Sequence, residues 1–317
     1  MPNPSKIARL EAKRKVKRLV KVLGRRGPEE ERREAAAALG RIGDLTSLDA
    51  VLEAARSPEH SIKRAVVQAL AGFGRPAVER LSEEVHSGRH VDCRLAAAEA
   101  LAAIGDDRAV LPLIGALAAW GVDTNSAPLL IEALAGFGER AAEPIATSLG
   151  PVDLARRMVD SLDRVATGAT AAELAKPVQI RGRLVEALAQ IGDPRAADAV
   201  ARVWEDTTLA QERLSGPDRP HAAPSAITGE IRLLLDLEQR GSATRLGTFG
   251  APGVDRLLEA LDHESPALRR SALETLDWVR REAGPDERIP AAILAGLDDP
   301  DESVRTAAEA LQEQSAG

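Results

Sequence analysis

A glycine recurs along this chain at a nearly fixed interval, each time closing a stretch rich in Ala and Leu. ALGRIG ends at Gly43, ALAGFG at Gly74, ALAAIG at Gly105, ALAGFG at Gly138, ALAQIG at Gly192 and TRLGTFG at Gly250. The intervals are 31, 31, 33, 54 and 58 residues. A period near 31 means that one supersecondary unit is copied along the chain, and such units bury their apolar faces only against their neighbours. Two further units, ETLDWVR at 274–280 and EALQEQ at 309–314, lack the glycine but keep Leu276 and Leu311.

Each unit reads as two helices. In CRLAAAEALAAIG, Leu95, Ala98, Leu101 and Ala102 recur at steps of three and four, the spacing of a helix face. The closing glycine suits a helix C-cap, where φ is positive. Asp44, Asp106 and Asp193 follow it and can cap the next helix. That second helix carries Leu48, Val51, Leu52 and Ala55 in one copy and Val110, Leu113, Ile114 and Leu117 in another. Ser57-Pro58, Ser265-Pro266 and Asp299-Pro300 read as turns into the next unit. Composition agrees: aromatics are 2%, with no Tyr, too few for a large sheet protein. The fold class is therefore all-α, an α-solenoid of about eight helix pairs.

The repeat also decides a tempting motif. GFGRPA (72–77) and GFGERA (136–141) both match G-x-G-x-x-G/A. A dinucleotide loop needs a strand before its first glycine, whereas here a helix precedes it. Other copies put Ala103 or Gln190 in place of that glycine. Phe73, Phe137 and Phe249 fill the slot held elsewhere by Ile42, Ile104 and Ile191, so they read as core. No cofactor is expected.

The pattern R-x-x-A-A-x-A-L-x-x-I/F-G-D-x-R-A, seen at 32–43, 94–105, GDDRAV (105–110) and GDPRAA (192–197), resembles the short HEAT-like repeats named after phycobilin lyases. The resemblance covers about residues 28–205 and 243–314, with interruptions. It implies a right-handed α-solenoid whose second helices line a concave face, used mostly as a binding surface. On this reading residues 1–27 are basic capping helices and 28–138 regular repeats. Residues 139–250 are irregular repeats with two insertions, and 251–317 are C-terminal repeats of one continuous solenoid.

The irregularities are where the binding residues are sought. The interval from Gly138 to Gly192 holds an expected extra helix at 152–166 and a loop at 167–177. The next interval holds a Pro/Gly-rich loop at 206–224. Insertions in solenoids project on one face, often the binding face, and are equally tolerated as neutral surface. Residues 1–27 carry ten Lys or Arg and one Glu, against a net charge of −7 for the chain. Helical phase changes near Lys13-Arg14-Lys15, and Lys17, Arg18 and Lys21 lie opposite the second apolar stripe. This segment reads either as the cap a solenoid needs or as a basic docking element.

No catalytic set emerges. His86, His90 and Cys93 are spaced like zinc ligands but fall on a turn without a fourth ligand. His263-Glu264 resembles the pairs of HEAT-like di-iron hydroxylases, of which this chain has one. Trp278 beside Asp277 resembles the Trp and Asp of HEAT-like DNA glycosylases, but the body outside residues 1–27 is acidic. Trp204 sits in a core slot. Arg33, Arg64, Arg94, Arg181, Arg270 and Arg305 begin the Ala-rich helices and are expected to pair with acids in adjacent turns. One Cys permits no internal disulfide, and no run approaches the length of a membrane helix. The chain lacks a signal peptide's apolar core; a cytoplasmic, bacterial protein is expected.

The reading is a non-enzymatic scaffold or adaptor for a protein or peptide. The expected contacts are Trp278, Arg181, Arg183, Arg213, Arg219 and His221. Nucleic acid docking on Lys13, Arg14, Lys15, Lys17, Arg18 and Lys21 is the alternative. A lyase-like subunit acting on a partner protein is a third, and no metal is expected.

Overall fold

The recurring glycines are left-handed corners. In the computed structural model, which describes residues 5–24, 27–120, 126–162, 171–216, 225–282, 284 and 286–316, Gly43, Gly74, Gly105, Gly138, Gly192 and Gly250 have φ between 58° and 69°. Each ends one helix and starts the next, as only glycine does without steric cost. After three of them Asp44, Asp106 and Asp193 accept a backbone N–H two residues on, from Thr46, Arg108 and Arg195. These aspartates cap short 3-10 turns that lead into the second helices.

The described residues form helices joined by such turns and contain no strand. The chain divides into two compact units, Met1–Ala141 and Ala142–Gly317, each a stretch of α-solenoid. The first unit begins with α1 (Lys6–Ala12), α2 (Val16–Leu23), α3 (Glu29–Ile42) and α4 (Leu48–Glu53). It continues with α5 (His60–Gly72), α6 (Val78–Ser87), α7 (Val91–Ile104), α8 (Val110–Trp120) and α9 (Ala127–Ala135). α10 (Glu139–Thr147) spans the division. First helices pack on first helices, α3 on α5, α5 on α7 and α7 on α9, while α6 packs on α8.

A first helix therefore has neighbours on several sides, which explains its alanines. Ala96, Ala97, Ala98, Ala100 and Leu101 of α7 are all buried, a wider face than one apolar stripe. Where α3 crosses α5 the backbones touch. A Cβ on Gly40 would lie 2.6 Å from Ala69 Cα, and one on Gly72 would lie 3.0 Å from the Gly40 carbonyl oxygen. Gly72, first glycine of the apparent dinucleotide loop, is a helix-crossing contact. Phe73, Phe137 and Phe249 are buried.

The second unit contains α11 (Leu154–Ser161), α12 (Ala171–Ile191), α13 (Ala197–Ser215), α14 (Ser225–Gly247), α15 (Ala251–Glu259), α16 (Pro266–Glu282), α17 (Arg288–Gly296) and α18 (Glu302–Ala316). The expected loops at 167–177 and 206–224 are corrected over part of their length; residues 167–170 and 217–224 lie outside the described residues. Ala171–Pro177 is helical, with Pro177 inside α12. Asp206–Ser215 belongs to α13, and Asp206, Thr207 and Thr208 are buried. The threonine hydroxyls donate to the carbonyls of Val203 and Trp204, so a polar run continues the helix without orphaned groups. Of the expected extra helix at 152–166, residues 163–166 lie outside the described residues, and Leu154–Ser161 forms α11. Its Ala155, Met158 and Val159 join Ala175 and Val178 of α12, Ala210 and Leu214 of α13, and Ile231 and Leu235 of α14 in one core.

Ion pairs repeat with the fold. Asp49–Arg80, Asp107–Arg140 and Asp255–Arg288 join residues about one period apart. A second series starts seven residues before the core leucine of the first helices. Arg32 pairs with Glu59, Lys63 with Asp92, Arg269 with Asp299 and Arg181 with Asp206. The expected arginine ladder is thus carried partly by the preceding residue: Arg33 pairs within its own helix, to Glu30, and Arg270 lies 3.8 Å from Glu274.

Candidate partner-binding groove

α13 and α14 run for 19 and 23 residues, much longer than α4 or α6. With α16 they line a groove of about 1160 Å3. Gln211, Glu212 and Ser215 line it from α13. Arg232, Leu233, Asp236, Gln239 and Arg240 line it from α14, and Arg270, Ser271, Glu274 and Trp278 from α16. Arg232 is exposed, and Leu233 is 61% exposed.

The floor is fixed. Ser271 Oγ accepts from Trp204 Nε1 at 3.0 Å and from Gln239 Nε2 at 2.6 Å. Trp204 is buried, as its core slot implies. The Trp278 ring lies against the end of α14, where a Cβ on Gly247 would meet Trp278 Cζ3 at 3.0 Å. Trp278 is half-buried, one face on the protein and the rest toward the groove. Asp277 faces inward, ion-paired at 2.6 Å to both Arg280 and Arg281, so Trp278 and Asp277 do not converge on one site. The walls mix charges: Arg240 pairs with Asp236 at 3.2 Å, and Glu212 accepts from Ser265.

The other expected contacts scatter. Arg181 is 2% exposed and cannot touch a partner. Its Nη1 donates to Asp206 Oδ2 at 2.8 Å, while its Nε and Nη2 are buried without a hydrogen-bond acceptor. Asp206 also accepts from the Ala155 N–H at 2.7 Å and from Arg156 Nε at 3.0 Å, so it clamps the start of α11. Glu238 of α14 rests on Gly182, where a Cβ would lie 2.1 Å from its Oε2. Burial pushes the Glu238 carboxyl up to about 7, against the pull of Arg181 and Arg245. Arg183 pairs with Glu186, and Arg213 reaches away to Asp160 of α11. Arg219 and His221 lie outside the described residues. Sequence reasoning missed Arg232, Leu233 and Glu212. Arg232, Asp236 and Arg240, four apart, were the available signal, since that spacing puts them on one helix face.

The remaining candidates fall into place locally. Cys93 Sγ lies 3.4 Å from the Leu52 carbonyl oxygen, and burial pushes the thiol up to about 11, so it is protonated rather than a ready metal ligand. Among the described residues no three His, Cys, Asp or Glu are grouped to hold a metal. His263 accepts the Ser265 N–H at the start of α16. At the N-terminus, α1 and α2 meet at Arg14, the described non-glycine residue with positive φ, 44°. Lys13, Lys15, Arg18 and Lys21 line a concavity there, and Lys17 does not. No described helix is long and apolar enough to cross a membrane.

Comparison with known proteins follows this architecture. Residues 16–102 and 236–312 match the family model of HEAT repeats, and 94–119 and 180–203 match that of the PBS lyase HEAT-like repeat. No curated protein matches in sequence. Among solved structures, human deoxyhypusine hydroxylase in complex with glycerol is 19% identical, with a TM-score of 0.33, covering 98% of both chains. Kap121p bound to the extreme C-terminus of the protein phosphatase Cdc14p is 13% identical, with a TM-score of 0.47 over 99% of this chain and 34% of that one. Importin beta is 13% identical, with a TM-score of 0.38 over 93% and 39%. The chain thus spans little more than a third of those two chains.

Proposed function

We propose, for a chain that belongs to the HEAT repeat family, that it is a non-enzymatic scaffold whose α13–α14–α16 groove holds an extended segment of a protein partner in the cytoplasm. The observation that carries this reading is the groove's lining: a half-buried Trp278 and an exposed Leu233 between side chains of both charges. Aromatic and aliphatic anchors inside a polar rim are what peptide grooves use. The floor is already hydrogen-bonded through Ser271, so little ordering is needed on binding. Recognition is then by shape and charge register, with no covalent step.

The test compares proteins captured by the native chain and by a Trp278→Ala/Arg232→Glu variant. Loss of a defined partner by the variant, at an unchanged melting temperature, supports the groove. An unchanged set of captured proteins refutes it.

A further inference from the structure

At the other end of the chain basic side chains gather on one concavity. Elsewhere arginines meet acids one period away, as at Asp49–Arg80 and Asp255–Arg288. The concavity between α1 and α2, of about 560 Å3, is walled by Lys6, Arg9, Lys13, Lys15, Arg18 and Lys21 over Leu10 and Val22, with no carboxylate among its described lining residues. Glu11, the acid of this segment, pairs with Arg41 one period on, at 2.6 Å, and does not line the concavity.

The arrangement is built rather than incidental. Continuous helix through residues 13–15 would spread these cations around a rod. The chain instead turns at Arg14, whose φ of 44° is unfavourable for a non-glycine residue. Arg14 Nη2 fastens the elbow to the Ile42 carbonyl at 3.3 Å, and Lys15 N–H bonds the Leu10 carbonyl. Ile7, Leu19 and Leu23 are buried on the other side. The cations of two helices therefore face one shared space.

We propose that this concavity binds the phosphodiester backbone of single-stranded nucleic acid, independently of the groove in the second unit. A curved array of cations concentrates polyanions, and a phosphate chain can enter a concavity that a flat bilayer cannot. No large apolar side chain among residues 5–24 is exposed to anchor in lipid. With no aromatic residue in the lining, base stacking is absent. Binding is then sequence-independent and driven by counterion release, with a log–log salt slope near −0.7 per phosphate contact.

The test is fluorescence anisotropy of a labelled oligothymidylate with the full-length protein across a salt series. Lys13→Gln/Lys15→Gln/Arg18→Gln should weaken binding at least tenfold and flatten the slope by about 2. Lys17→Gln, a control equal in charge to each single change but outside the concavity, should cost less than about twofold. Lys13→Gln alone serves if the triple variant melts early, and should exceed the Lys17→Gln effect. Equal losses from Lys13→Gln and Lys17→Gln overturn the site, as does absence of binding at low salt. Binding to phosphatidylserine vesicles without binding to the oligonucleotide overturns it in favour of a membrane surface.

Discussion

Replacing Asp206 by Ala should damage the second unit more than any surface change, because one carboxylate holds three elements. It accepts from Arg181 at 2.8 Å, from the Ala155 N–H at 2.7 Å and from Arg156 Nε at 3.0 Å, and it is 1% exposed. Removing it leaves the buried Arg181 guanidinium with no carboxylate in contact, and Nε and Nη2 already lack acceptors. Breaking a buried pair in this way costs about 3–5 kcal/mol. A unit of this size loses about 2–4 °C of Tm per kcal/mol, so its transition should fall by roughly 6–20 °C. Calorimetry resolves this if the two compact units melt separately. Asp198→Ala, which breaks the exposed pair to Arg256, should cost under about 1 kcal/mol. Arg181→Met together with Asp206→Leu removes both charges and should recover part of the loss. The reasoning is refuted if Asp206→Ala is as mild as Asp198→Ala, or if the double variant is worse than the single.

Three other outcomes are expected. Gly40→Ala should destabilise the first unit by about 1–3 kcal/mol in urea despite the better helix propensity of Ala, since the new methyl meets Ala69 backbone; no change would mean the crossing is looser than drawn. Glu238 should make stability fall as pH rises from about 4.5 to about 7. The folded state keeps the proton over that range while the unfolded chain releases it, and a state that binds more protons weakens as pH rises. Glu238→Gln should abolish that slope in melting curves. Cys93, its thiol pushed up to about 11 by burial, should react slowly with a thiol reagent in the folded protein and rapidly in denaturant; prompt labelling in buffer would contradict its placement.

The repeat was legible because its signals are local. Positive φ is demanded by the chain at Gly43 or Gly105 itself, and the change of phase at residues 13–15 marks the elbow now seen at Arg14. The second-helix residues Leu48, Val51, Leu52 and Val110, Leu113, Leu117 are all buried. What sequence could not carry is non-local. Arg181 reads as a surface arginine until Asp206 of α13 is brought against it, and Asp206 reads as loop until the helix start that needs it is known. Pro177 suggests a break, yet α12 absorbs it. Trp278 stood out because its slot is held elsewhere by Arg41, Gly72 or Gln190. Its neighbours Arg232 and Leu233 needed the fold to bring α14 beside α16.

The glycine corners have a consequence for how such a chain changes length. Gly43 and Gly105 hold the same backbone conformation, φ 69° and ψ 22° against φ 65° and ψ 27°, so excising residues 44–105 would splice one corner onto another of the same hand. α3 would then meet Ala133 of α9 where it now meets Ala69 of α5, one small residue for another. Arrays of this kind can lose or gain whole copies without a new joint, leaving the terminal basic helices and the α13–α14–α16 groove each intact.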